Sequence, residues 1–322
     1  MRFVAKLSDR NLKPRLCLNH FSHIIKTMKK WLLLILPILL ILTGCSKSLT
    51  VSASPQTSSN AYIQNMGSDT IVNLALGWAE KYKQIKPDVR ISVTGGGSGV
   101  GITALINQTI DIANASRQIK PEELAKAKSA GLNPYETIIA RDAIAVIVNP
   151  SNPIQQLTLE QVSGIYRGIY NNWKELGGED RPIVRLSRET NSGTHVYFLE
   201  SVVRLGNSKD KTIFASDTCL LPSSEGIIAE VRDNPNAIGY DGLGYVTKEV
   251  KMLAISSLKA PDVYVLPSAA TVSDGTYVIS RDLYMYTPDT PQGAVKDYLD
   301  WILSAEAQQI VKDLGFVPVI HP

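Results

Sequence analysis

The chain has 322 residues, 44% of them hydrophobic and 20% charged, which is the composition of a folded globular protein and too long for one compact core, so two lobes are expected. Its formal charge of +3 misleads: eight of the 33 Lys and Arg and one of the 30 Asp and Glu fall in residues 1–44, leaving 25 against 29, a net of −4, for the body. A mildly acidic body without a basic run excludes nucleic acid as the natural partner.

The basic head reads as targeting. Lys29 and Lys30 precede the charge-free run Trp31–Leu42, which is short for a membrane span and fits the core of a secretory signal. It ends in Leu42-Thr43-Gly44-Cys45, which resembles a bacterial lipobox and implies cleavage before Cys45 and lipid on that residue. Residues 1–27 fit no signal peptide, so Met28 is read as the true start; the competing reading is an uncleaved anchor. Both put the body outside the cytoplasmic membrane. Residues 45–60, with eight Ser/Thr between Ser46 and Asn60 plus Pro55, read as lipid anchor and flexible tether. With Cys17 and Cys45 assigned to leader and anchor, only Cys219 remains, expected as a small buried hydrophobe. No internal disulfide, metal cluster or cofactor has material to form.

The body begins near Ala61. Tyr62–Met66 reads as a strand ending in Gly67-Ser68-Asp69-Thr70, and Val72–Lys86 as a helix stopped by Pro87. Val89–Val93 is a strand, followed by Gly95-Gly96-Gly97-Ser98-Gly99 and a short helix from Ile102 to Ile106. Ile110–Ala115 is a strand broken by Ser116-Arg117, with a helix from Pro121 to Ala130. This repetition predicts a mostly parallel α/β sheet with its loops on one edge. The apolar run Ile138–Val148 reads as a strand crossing between lobes. Helices follow at Thr158–Tyr166 and Glu225–Arg232, with Ala237–Tyr245 as the return crossing. Tyr277–Tyr286 gives one or two strands, and Pro291–Leu314 two helices. Lobe I is therefore expected to comprise 61–142 and 246–322, and lobe II 143–245.

Between those elements lies Arg188-Glu189-Thr190-Asn191-Ser192-Gly193-Thr194, after the alternating run Pro182–Leu186 and before the helical segment Val196–Leu205. A strand–turn–helix junction leaves first-turn N–H groups unpaired. Ser192 and Thr194 add hydroxyls, Gly193 lets a ligand approach the main chain, and Arg188 supplies a charged fork. Together these suit a tetrahedral oxyanion, although a plain capped helix after an arginine has the same local sequence. Three further loops share the character: 67–70, 95–99 and 116–117. Strand ends of open α/β sheets are where ligands bind, and a cleft between lobes is their natural meeting point.

GSDT, VTGGGSGVGI, DIANASR, NPSNP, LTLEQVSGIYRGIYNNWKELGG, RETNSGTHVYF and AIGYDGLGY occur in that order. Together they resemble the substrate-binding lipoproteins of the high-affinity phosphate ABC importer, of the type II periplasmic-binding-protein fold. The resemblance implies two α/β lobes closing on one dehydrated phosphate, with Ser68, Asp69, Thr70, Ser98, Ser116, Arg117, Arg188, Ser192, Gly193 and Thr194 facing the ligand. It also implies a membrane-anchored monomer that hands phosphate to permease subunits. The chain departs from well-known members in three places. They have a threonine where it has Asp69, a proton-accepting aspartate where it has Arg117, and an aspartate bracing the arginine where it has Thr190. Asp69 is read as having taken over the acceptor role, with Arg117 balancing its charge; the plainer reading has Asp69 capping the helix that follows.

Competing functions use the same residues differently. A hydrolase would pair Ser192 with His195, but no acidic residue is placed to orient that histidine. The glycine loop has neither P-loop nor dinucleotide spacing. Another oxyanion, such as tungstate, molybdate or sulfate, needs only donors, whereas an acceptor such as Asp69 selects hydrogen phosphate. A ligand-free adhesion lipoprotein would have no use for Arg188 and its Ser-Gly-Thr turn.

Overall fold

A computed structural model describes residues 61–319; the signal region, Cys45 and the tether lie outside the described residues. Alternation builds the first strand, β1 (Ala61–Gly67), where Ile63, Asn65 and Gly67 are buried while Tyr62 and Gln64 face out. It is followed by α1 (Asp69–Ile85), which turns Ile71, Leu74, Ala75, Trp78 and Tyr82 inward at helical spacing. Full burial of a side chain such as Leu74 contributes about 2 kcal/mol, and the Trp78 indole N–H, which would be costly to leave unpaired, donates to the Ala307 carbonyl at 2.9 Å.

Next come β2 (Val89–Thr94), α2 (Ser98–Ile106), β3 (Ile112–Ala115), α3 (Pro121–Ser129) and the long β4 (Tyr135–Val148). After β5 (Gln156–Thr158) and α4 (Leu159–Tyr166) the chain forms β6 (Val184–Arg188) and α5 (Gly193–Phe198), which widens into a π-helical turn at Leu199–Val203. Then follow β7 (Cys219–Leu221), α6 (Ser224–Asp233), β8 (Ala237–Gly242), β9 (Lys251–Met252), β10 (Ala254–Ser257), β11 (Ala260–Val265) and α7 (Ala269–Ser273). The chain ends with β12 (Ser280–Thr287), α8 (Gly293–Ile302) and α9 (Ala305–Asp313).

The strands of the larger sheet run β2-β1-β3-β12-β4-β8-β6-β7, with β9 beside β4; β11-β10-β5 form a small second sheet. The α/β class and two-lobed design read from the sequence are what the fold shows. β2, β1 and β3 pair in parallel, as do β8, β6 and β7, while β4 and β12 run antiparallel to their neighbours. β4 serves both halves. Residues 135–143 pair with β12 and residues 144–148 with β8, so one apolar strand carries the chain from one lobe into the other.

The two halves keep separate cores. Ile63, Trp78, Leu283, Met285 and Tyr298 belong to one, and Val146, Tyr166, Trp173, Phe198 and Tyr240 to the other. Leu253, Ile255, Val272, Tyr277 and Ile279, which follow the expected return at residue 246, also pack in the second core. The cause is β9 and β10, which pair with β4 at Ile147–Val148 and with β5. Cys219 also corrects its expectation. It is exposed, on a strand that ends the sheet beside β6 among the described residues.

Candidate anion-binding site

Three helices begin where strands end: α1 at Asp69, α2 at Ser98 and α5 at Gly193. Each starts earlier than its apolar periodicity suggests (Val72, Ile102, Val196), because periodicity marks the core-facing turns while the first turn is made of small polar residues. Their hydroxyls therefore sit where backbone N–H groups lack intrahelical acceptors and the helix end is positive.

Those first turns meet. Thr70 Oγ1 and Thr194 Oγ1 lie 2.9 Å apart across the lobes, and Ser98 Oγ lies 3.2 Å from Ser116 Oγ. The Ser116 N–H donates to Ser98 Oγ at 3.0 Å, and Ser192 caps α5 by accepting from the Thr194 N–H at 3.2 Å. Ser68 lies at the start of α1, its N–H donating to the Asn114 carbonyl at 2.9 Å. Thr70, Ser98, Ser116, Ser192 and Thr194 are all 3% exposed or less. The loops also lock to each other: the Gly99 N–H donates to Asn191 O, and Asn191 Nδ2 to Gly96 O, both at 3.0 Å.

Gly193 is needed for this approach. A Cβ there would stand 2.3 Å from Ser98 Oγ and 2.5 Å from Ser116 Oγ, inside any tolerable contact. Gly193→Ala is therefore expected to pry the lobes apart and weaken anion binding by about 1–2 kcal/mol with little loss of fold, since the clash lies between lobes. Titration calorimetry beside a thermal melt checks it; parental affinity would show that the lobes need not approach this closely.

Arg188 is 1% exposed and well held. Nη1 donates to Ser224 Oγ at 2.8 Å, and Nη2 to Asp69 Oδ2 at 2.6 Å and the Pro222 carbonyl at 2.7 Å, while Nε has no partner among the described residues. Ser224 Oγ in turn donates to Asp241 Oδ1 at 3.0 Å. Burial pushes the Asp241 carboxyl up to about 6, with Arg188 the main opposing influence.

Two readings of charged residues are corrected. Asp69 does not cap α1: Ser68 holds that position, and the Ile71 N–H bonds to Ser68 O. Asp69 spends Oδ1 on the Gly96 N–H at 2.9 Å and Oδ2 on Arg188, so it braces the arginine from the other lobe. Arg117 does not balance it. Its guanidinium is committed to Glu123, Nη1 to Oε2 at 2.8 Å and Nη2 to Oε1 at 2.7 Å. Burial works against ionisation of Glu123, but the hydrogen bonds from Arg117 and the Lys120 N–H outweigh it and hold that carboxyl below its usual range. Thr190 is exposed.

The sequence reading missed Ser224, Asp241 and a second guanidinium, Arg281, which donates to Thr70 Oγ1, Thr194 Oγ1 and Asp142 Oδ2. His195 turns away from Ser192, its Nδ1 lying 2.8 Å from Arg188 O and 3.0 Å from Ser187 Oγ. Burial lowers its pKa. The arrangement offers hydroxyls, helix starts and two buried guanidinium groups, with Asp142 and Asp241 buried behind them and Asp69 at the edge. It can hold a tetrahedral oxyanion and offers no activated nucleophile.

Residues 52–306 match the family model of the PBP superfamily domain. The phosphate-binding protein PstS of Pseudomonas aeruginosa is 32% identical over 80% of this chain and 83% of its own length, and that of Bacillus subtilis 30% identical over 85% and 86%. A Clostridium perfringens protein solved with bound phosphate superposes with a TM-score of 0.71, at 33% identity, over 80% of this chain and all of that one. An ABC-type phosphate transport receptor from Vibrio cholerae gives 0.64 at 28% identity, over 80% of this chain and all of its own.

Proposed function

This chain belongs to the PBP superfamily and, within it, to the phosphate-binding proteins of the PstS type, and from that premise we propose how it captures inorganic phosphate for an ABC importer. The observation that carries the site is the meeting of Thr70 with Thr194 and of Gly193 with Ser98 and Ser116, beside a buried Arg188. Each lobe brings hydroxyls on helix starts, so the anion is wrapped only when the lobes meet. Ser68, Asp69, Thr70, Ser98, Ser116, Arg188, Ser192, Gly193 and Thr194 form the phosphate site in this reading; Arg117 supports it through Glu123 from behind. The chain is a binder and not an enzyme. Calorimetric titration of the full chain with phosphate, sulfate and molybdate tests the assignment. Phosphate binding with sulfate excluded supports it, and a preference for either other anion overturns it.

The binder is extracytoplasmic, as a component that feeds an importer must be. Among the described residues no helix is long and apolar enough to cross a membrane. Attachment falls to Cys45 in our reading, through lipid on its thiol and new N-terminus, with 46–60 as the tether that lets the lobes reach permease subunits. Two acyl signals on one residue hold a protein far more firmly than one. Cys45→Ser is expected to move the protein from the membrane pellet to the soluble fraction, with phosphate affinity unchanged. A variant that stays in the pellet refutes the anchor.

A further inference from the structure

Arg281 is the second residue of β12, directly opposite Asp142 in the antiparallel register with β4, where β4 passes from its β12 partner to its β8 partner. It is 7% exposed and Asp142 0%, and Nη2 lies 3.0 Å from Asp142 Oδ2. From this seat the same guanidinium reaches the loops after three different strands. Nη1 donates to the Ser116 carbonyl at 3.0 Å; Nη2 lies 2.9 Å from Thr194 Oγ1 and 3.3 Å from Thr70 Oγ1. A pair that merely filled the core would need none of these contacts.

Resting on the phosphate reading above, we propose that Arg281 is a positioning residue of the phosphate site, one that fixes which way the Thr70 and Thr194 hydroxyls point. The guanidinium has no lone pair to offer, and Nη2 carries two hydrogens for three acceptors, so Asp142 Oδ2 takes one and the two threonine oxygens share the other, both facing it as acceptors. The two hydroxyls stand 2.9 Å apart, so one gives its proton to the other. One O–H is left, and it cannot point at Arg281. It is turned toward the anion. Arg281 thus converts two ambivalent hydroxyls, one per lobe, into an oriented chain ending in a donor. Asp142 keeps the guanidinium in place, its other oxygen accepting from the Leu243 N–H at 3.1 Å, and the Tyr197 ring lies 5.6 Å from Arg281 Cζ. Hydroxyls free to rotate would offer lone pairs to an anion as readily as protons.

A purely structural buried pair would also damage the protein when cut, so the test separates the two roles. Arg281→Gln combined with Asp142→Asn keeps a neutral hydrogen-bonded pair and leaves no buried charge unpaired. In the full-length protein this double variant is expected to fold, by circular dichroism, and to bind phosphate on the order of 100-fold more weakly. Thr194→Val alone is expected to cost about tenfold, but less than about threefold in the double-variant background, because its hydroxyl has already lost its orientation. Additive losses, or a folded double variant within about threefold of the parent, overturn the proposal. Arg281→Lys covers the case in which the double variant does not fold. A single ammonium can pair with Asp142 but cannot serve Ser116 O and both threonines, so about tenfold weaker binding is expected and parental affinity again overturns it. A parent that binds no phosphate sinks the functional reading itself, whereas a binding parent with indifferent variants sinks only the role of Arg281.

Discussion

Arg188→Ala is expected to weaken phosphate binding by roughly 3 kcal/mol, on the order of 100-fold. Arg188 is 1% exposed, and its charge lies between Asp69 on one lobe and the Ser224–Asp241 pair on the other. Removing it takes away a charge-assisted contact and leaves the incoming anion facing two carboxylates without their cation. Stability should change with pH in a defined direction. Burial already raises Asp241 to about 6, and Arg188 is the largest influence holding it down, so the variant's carboxyl moves higher still. A carboxyl raised in the folded state contributes stability that is complete below its unfolded value, near 4, and is lost as pH climbs through the folded value. At about pH 5 Asp241 is largely protonated in parent and variant alike, and little is lost with the arginine. At about pH 8 the parent ionises Asp241 beside Arg188, while the variant has to keep it protonated or bury it uncompensated. The gap in melting temperature between the two proteins should widen from the lower pH to the higher. Unchanged phosphate affinity in a folded variant would remove Arg188 from the site, and a gap that narrows with pH would remove Asp241 from its support.

How much of this site the sequence disclosed depends on what kind of signal each residue leaves. Thr70, Ser98, Ser116, Arg188 and the Ser-Gly-Thr turn were legible because turns at strand ends are spelled in glycine and small hydroxyls over a few consecutive positions. Arg281 leaves no such run. Ser224 and Asp241 do lie in short turn-like runs, Pro222-Ser223-Ser224-Glu225-Gly226 and Gly239-Tyr240-Asp241-Gly242, but nothing local joins them to Arg188, and what gathers all three is the pairing of β12 with β4 and the placement of α6 beside β8, which no local window contains. One trace did exist. Asp142 interrupts the apolar run Ile138–Val148, and a charge inside a buried strand requires a partner of opposite sign. Arg117 was misassigned for the converse reason. Its partner, Glu123, is six residues away at the third position of α3, where it also accepts the Lys120 N–H at 2.8 Å, and a helix-start glutamate is the simpler mate for a preceding arginine. The α/β class was legible from β–turn–α repetition, but the pairing of β9 with β4 and of β10 with β5 was not, because both strands are too short to announce their partners.

Asp69→Asn is expected to lower phosphate affinity by about 1–3 kcal/mol while raising the affinity for sulfate. Ionised Asp69 offers about four acceptor directions. Two are taken, by the Gly96 N–H on Oδ1 and by Arg188 Nη2 on Oδ2, so room remains for a proton carried by hydrogen phosphate. Sulfate brings no proton at neutral pH and meets only the negative charge. Asparagine keeps the shape and can still accept from Gly96, but it turns an amide donor or a neutral oxygen toward Arg188. The phosphate proton then loses its acceptor, and sulfate loses its repulsion. Opposite signs are the signature of this role. If Asp69 does no more than steady the guanidinium, the substitution loosens Arg188 for every oxyanion and both affinities fall together. Parallel calorimetric titrations of parent and variant with the two anions distinguish these outcomes, and an Asp69→Asn protein that still excludes sulfate refutes the acceptor role while leaving the brace between lobes intact.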